Sequence, residues 1–101
     1  MLNIKLTETE LTEVKRLLKK YVPNCEVWAF GSRVSGNAKP FSDLDLVIFS
    51  KSENDFNRIL DFKDAFSVSN LPFKVDIVDW GNIDDYFREI IKSNYIVLIK
   101  P

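Results

Sequence analysis

Two aspartates one residue apart, Asp43 and Asp45, open an otherwise apolar run of Leu44, Leu46, Val47, Ile48 and Phe49. Side chains of an extended strand alternate between its faces, so both carboxylates point one way while Leu44, Leu46 and Ile48 point the other. Like charges at the mouth of a buried strand repel each other and lose solvation; a divalent cation offsets both costs. The chain has no histidine and a single cysteine, Cys25. The remaining oxygen donors suit Mg2+ or Mn2+. Asp76 is embedded between Val75 and Ile77 in a second strand-like run, 73–80. If that run neighbours the first, three carboxylates converge and can hold two metal ions roughly 3.5–4 Å apart, the arrangement used in phosphoryl and nucleotidyl transfer. Asp79 faces the other side of an ideal strand and is left out. Alone, an Asp-x-Asp pair also describes a solvated strand end, and it is the stretch upstream that favours the metal reading.

That stretch is Gly31-Ser32-Arg33, directly after the strand-forming run Glu26-Val27-Trp28-Ala29-Phe30, with Gly36 and Lys39 beyond it. Glycine lets an anion approach the backbone, and Ser32 offers a hydroxyl and an amide at the start of a short helical turn. Arg33 and Lys39 supply positive charge nearby. By itself the tripeptide is only a turn signal. Together, Gly31-Ser32, Gly36, Asp43-Leu44-Asp45 and Asp76 resemble the signature of the DNA polymerase β-like nucleotidyltransferase superfamily. With no room for a second domain, the chain is most similar to the minimal nucleotidyltransferase (MNT) group.

The resemblance implies a mixed α/β (α+β) polymerase β-like fold, a sheet of three to four strands with flanking helices, over residues 1–101 as one domain. It implies that Gly31 and Ser32, with Arg33 beside them, bind the phosphates of a nucleoside triphosphate, ATP in the first instance. Asp43, Asp45 and Asp76 would be the catalytic acids and the ligands of two Mg2+ or Mn2+ ions. Asp76 would help activate an acceptor hydroxyl that attacks the α-phosphorus as pyrophosphate leaves. Many members carry Ala-Arg before the second glycine; here Val34-Ser35 stands instead, which shifts phosphate neutralisation to Arg33 or Lys39. Minimal members are encoded beside a HEPN-domain protein and act as antitoxins that adenylylate a tyrosine of that toxin. The resemblance therefore implies a helical HEPN-type partner and leaves room for a homo- or hetero-oligomer. Two competing readings are a non-catalytic module that occludes its partner and a transferase acting on a small molecule.

The elements that must position these residues follow from periodicity. Thr7 and Glu10 stand at capping-box spacing before Leu11, Val14, Leu18 and Tyr21, and Pro23 stops that helix. Strands follow at 26–30 and 43–49. A helix over 54–66 carries a stripe of Phe56, Ile59, Phe62 and Phe66, and Leu71-Pro72 ends it. A third strand spans 73–80. Asn82 or Asp85 caps a last helix bearing Ile83, Phe87, Ile90 and Ile91, and 95–99 forms a terminal strand. The aromatic residues Phe56, Phe62, Phe66, Tyr86 and Phe87 are read as core, and Trp28 and Trp80 as packing against helices.

Fourteen basic and fifteen acidic residues give a net charge of −1, so no cationic field exists to gather nucleic acid. The cluster Lys15, Arg16, Lys19 and Lys20 is read as a solvated helix face. Cys25 is read as a small buried hydrophobe. No apolar run is long enough to cross a bilayer, and MLNIKLTETE lacks the regions of a signal peptide. These features point to the cytoplasm.

Overall fold

The computed structural model describes residues 4–101, so the first three positions of the stretch read as carrying no signal peptide lie outside it. The first helix, α1, runs Glu8–Tyr21 behind Thr7. The Thr7 hydroxyl accepts from the Glu10 amide at 3.1 Å, and the Glu10 carboxylate accepts from the Thr7 amide at 2.9 Å. Two otherwise orphaned donors are thus satisfied. Strand β1 (Glu26–Phe30), the short helix α2 (Ser32–Ser35), strand β2 (Leu44–Phe49), helix α3 (Glu53–Ser67), strand β3 (Val75–Asp79), helix α4 (Asp85–Ser93) and strand β4 (Ile96–Ile99) follow in order.

The four strands form one mixed sheet in the order β3-β2-β1-β4. β1 is antiparallel to both β2 and β4, whereas β2 and β3 are parallel. The parallel pair is possible because α3 carries the chain back across the sheet between them. Alternation along β2 divides the core. Leu44, Leu46 and Ile48 pack with α1 and α3 through Val14, Leu18, Ile59 and Phe62. Val47 faces the other side, with Phe30, Ile91 and Phe87 under α4. The result is α1 and α3 on one face and α4 on the other. Among the described residues no helix is long and apolar enough to cross a membrane.

Several expectations shift by a residue or two, each for a physical reason. Asp43 and Tyr95 stand just outside their strands, and Trp80 begins a 3-10 turn, Trp80–Asn82, after β3 ends. The cap of α4 is Asp84, which accepts from the Phe87 amide at 2.8 Å, rather than Asn82 or Asp85; Ile83 precedes the helix. The buried stripe of α3 is Asp55, Ile59, Phe62 and Phe66. Phe56 lies a residue off that stripe and is 52% exposed; Tyr86 on α4 is 77% exposed, so neither belongs to the core. Trp28 and Trp80 pack edge to face with each other, their centroids 5.6 Å apart, rather than against helices alone. Cys25 is fully buried, and burial, reinforced by nearby Asp55, pushes its thiol up to about 11.

Thr7→Ala removes half of the capping box. It is expected to lower the unfolding free energy by about 1 kcal/mol without changing the denaturant slope, as read by urea unfolding.

Candidate active site

Register brings the acids together. Asp45 lies opposite Asp76 across the parallel β2–β3 pair and opposite Phe30 across the antiparallel β1–β2 pair. Both carboxylates stand on the α4 side of the sheet, at the end where β1 finishes and where β2 and β3 begin. Asp43 precedes β2, two residues before Asp45, and continues the same face. Burial, then the charges of Asp76 and of Asp43, push the Asp45 carboxyl up to about 6. Asp43 and Asp76 are therefore both close enough to act on Asp45. Among the described residues no three acid or thiol side chains close into a ready-made metal cage. The three acids stand instead as an open array at this end of the sheet. Oxygen-only donors whose negative charge is frustrated by burial and by one another are what a hard divalent cation relieves, so the donor set fits Mg2+ or Mn2+.

Gly31 joins this array to the turn. It leaves β1 at φ +79°, caps α2, and passes so close to Asp45 that a Cβ built on it would sit 2.2 Å from Asp45 Oδ2. No side chain fits there. Ser32 follows as the first residue of α2, half-buried beside the carboxylates, and Gly36 closes that turn in the left-handed region at φ +92°.

Arg33 is not brought to the mouth. Its side chain is buried at 3% exposure on the α1/α3 side, and its guanidinium is taken up by main-chain carbonyls. Nε and Nη2 both donate to the Ser42 oxygen, at 3.0 and 2.9 Å; Nη2 also donates to Pro40 and Nη1 to Lys5. Four of its five N–H donors are thus spent on main-chain carbonyls, so the structure turns this guanidinium into the fold and does not bring it to the acids as the phosphate-side role expects. No sequence signal marks the cage, because its acceptors are backbone atoms from three distant positions.

The cation that sequence reasoning overlooked is Lys74. Phe73, Val75 and Ile77 pack into the α1/α3 core. Alternation then sends Lys74, which is exposed, to the face of Asp76, beside Asp43. That alternation was legible in Phe73-Lys74-Val75-Asp76. Lys39 is exposed on the loop before Asp43. Asp79 is accounted for structurally, accepting from Ser50 Oγ at 2.6 Å and from the Gly81 amide at 3.3 Å.

A mixed sheet with a Gly-Ser turn packed on an Asp-x-Asp strand, and a third acid on the parallel neighbour, defines a nucleotidyltransferase class. The chain belongs to the polymerase beta nucleotidyltransferase family, whose model matches residues 12–101. It is 51% identical over 89 residues to the probable protein adenylyltransferase MntA of Haemophilus influenzae, covering 88% of this chain and 78% of that protein. A chain of a toxin–antitoxin crystal structure with AMP-PNP superposes with a TM-score of 0.73 at 20% identity, over 90% of this chain and 73% of that one. A chain from the tri-AMPylated HEPN toxin of Shewanella oneidensis in complex with MNT antitoxin gives 0.57 at 16% identity, over 90% and 70%. These two structural likenesses, at such identities, are likenesses of fold.

Two expectations follow. Folding raises the Asp45 pKa from 3.8 to about 6. Its contribution to stability is complete below the lower value and is lost as pH rises through the upper one. In EDTA, Asp45→Asn should therefore melt higher than wild type at pH 7.5, with the difference closing by pH 4; thermal melts across that range check it. Gly31→Ala meets both the positive φ, about 1–3 kcal/mol of strain, and the Asp45 carboxylate. Gly36→Ala meets strain alone, with nothing within 4 Å. Only the former should abolish a Mn2+-induced rise in melting temperature.

Proposed function

We propose that this chain is a metal-dependent nucleotidyltransferase that moves AMP from ATP onto a hydroxyl of a partner protein. In this reading residues 1–101 act as one catalytic domain in the cytoplasm, as the antitoxin of a pair whose toxin is a helical HEPN-type protein. The observation that carries the reading is the fit of Gly31 against Asp45. It sets a phosphate-binding turn in contact with an acid that shares its strand face with Asp43 and Asp76. The likeness to MntA over most of both chains supports a protein acceptor.

Asp43, Asp45 and Asp76 would hold the metal, two Mg2+ or Mn2+ ions. When bound, the ions neutralise phosphate charge and favour the ionised form of the acceptor hydroxyl. Gly31 admits the triphosphate to the backbone, and Ser32 contributes its amide and hydroxyl at the start of α2. Asp45, at the junction of turn and strand, orients the α-phosphate relative to both. Asp76 is exposed on the edge strand β3, where an acceptor could reach it, and its carboxylate would take the hydroxyl proton. The acceptor oxygen then bonds to the α-phosphorus as the bond to the bridging oxygen of pyrophosphate breaks. Lys74, exposed on the face of Asp76, would supply positive charge near the acids. In this reading the partner presents its own hydroxyl at the open mouth, and its docking supplies the proximity the transfer needs.

The test is Asp43→Asn/Asp45→Asn, assayed with α-labelled ATP and the partner toxin. Transfer should fall by several orders of magnitude, and the joint stabilisation of wild type by Mg2+ and ATP in thermal melts should vanish. Full transfer by the double variant would overturn the assignment. A variant that transfers nothing yet neutralises the toxin as well as wild type would favour occlusion instead.

A further inference from the structure

Asp43 presents a structural puzzle. It lies outside the β2 ladder, at the end of the long loop that follows α2, yet its reading as a metal ligand demands a fixed backbone. The peptide units on its two sides supply the answer. The unit after Asp43 is held by β3, because the Leu44 amide donates to the Lys74 carbonyl at 2.9 Å. The unit before it is the Ser42–Asp43 peptide, whose oxygen receives the two-pronged grip of Arg33 Nε and Nη2 at 3.0 and 2.9 Å. A peptide unit is planar, so gripping its oxygen also fixes the plane that carries the Asp43 nitrogen. Asp43 therefore hangs between two clamped planes.

Arg33 is itself well anchored. Its guanidinium carbon lies 4.1 Å from the centre of the Phe73 ring, one residue before Lys74. Its backbone oxygen accepts from the Lys5 amide at 2.7 Å while Nη1 donates to the Lys5 oxygen at 2.7 Å. The same residue is part of α2, directly after Ser32. One planar fork thus ties the turn, the N-terminal segment, the loop before β2 and the start of β3. A lysine ammonium carries the same charge but has no such fork, and it cannot hold one carbonyl with two parallel donors while stacking on a ring.

We propose that Arg33 is a positioning residue for Asp43: it sets the distance and orientation between the Gly31-Ser32 turn and the first carboxylate through the Ser42–Asp43 peptide. This rests on the reading of Asp43 as a metal ligand, and the test separates the two. Mn2+ alone is titrated by electron paramagnetic resonance into wild type, Arg33→Lys, Phe73→Leu and Val27→Ala. The last truncates the core at the far end of β1 and serves as a matched loss of stability. Backbone amide NMR of Ser42 and Asp43 is recorded on the same samples.

Arg33→Lys should weaken Mn2+ binding at least tenfold and move both amide resonances. Phe73→Leu, which removes the ring beneath the guanidinium together with some core packing, should shift both readouts the same way, by less than Arg33→Lys and by more than Val27→Ala; it carries the test should the lysine variant not fold. Val27→Ala should melt lower than wild type but bind Mn2+ equally well. Where the partner and ATP are added, Arg33→Lys should lower kcat at saturating Mg2+ as well as raise the Mg2+ needed. Wild-type Mn2+ affinity in Arg33→Lys or, if that variant does not fold, in Phe73→Leu would overturn the proposal. So would losses no larger than those of Val27→Ala. Absence of Mn2+ binding by wild type would overturn the metal reading itself.

Discussion

The site depends on a contact with no room for a side chain: the backbone of Gly31 against the carboxylate of Asp45. Because Phe30 lies opposite Asp45 in the β1–β2 register, the residue after Phe30 must turn immediately above that acid. Only a residue without Cβ can do so at a positive φ, and the chain then enters α2 with Ser32 beside the acids. The antiparallel register, the turn and the acid are therefore one constraint. A one-residue slip of β2 would send Asp45 to the α1/α3 core and leave the turn with nothing to face.

The carboxylates of this protein separate by how their charge is satisfied. Asp55, buried at the start of α3, accepts from the Lys51 amide at 2.7 Å and from the Ser52 amide at 3.2 Å, and those bonds hold its carboxyl below the ordinary range. Asp79 is held by Ser50 and the Gly81 amide. Asp45 is shifted the opposite way, by burial and by two like charges. The opposite shifts of Asp55 and Asp45 separate an acid satisfied by amide donors from one frustrated by burial and like charge. Arg33 is a cation satisfied within the fold, by the carbonyls of Lys5, Pro40 and Ser42.

Much of this was legible along the chain because it depends on near neighbours. Thr7 and Glu10 announce their helix through a hydrogen-bonded exchange that spans three residues. Alternation in Asp43-Leu44-Asp45-Leu46 assigns faces before any partner strand is known, and the apolar period of α1 marks its buried side. Where local reading failed, the deciding interaction was not local. Phe56 looked like core because it lies three residues before Ile59, but the packed stripe of α3 starts at Asp55, whose burial is made tolerable by two loop amides.

What the sequence by itself determined was the set of chemical groups and their faces: three aspartates on alternating positions, a glycine and a serine after a strand, no histidine and one inert cysteine. Their convergence was decided by the sheet. Asp45 and Asp76 are thirty-one positions apart, and only the parallel β2–β3 register sets them side by side. The fate of Arg33 was decided there too. A guanidinium beside a phosphate turn and one caged by the carbonyls of Lys5, Pro40 and Ser42 are spelled with the same letter. Which of the two it becomes depends on where distant backbone oxygens lie once the core has closed.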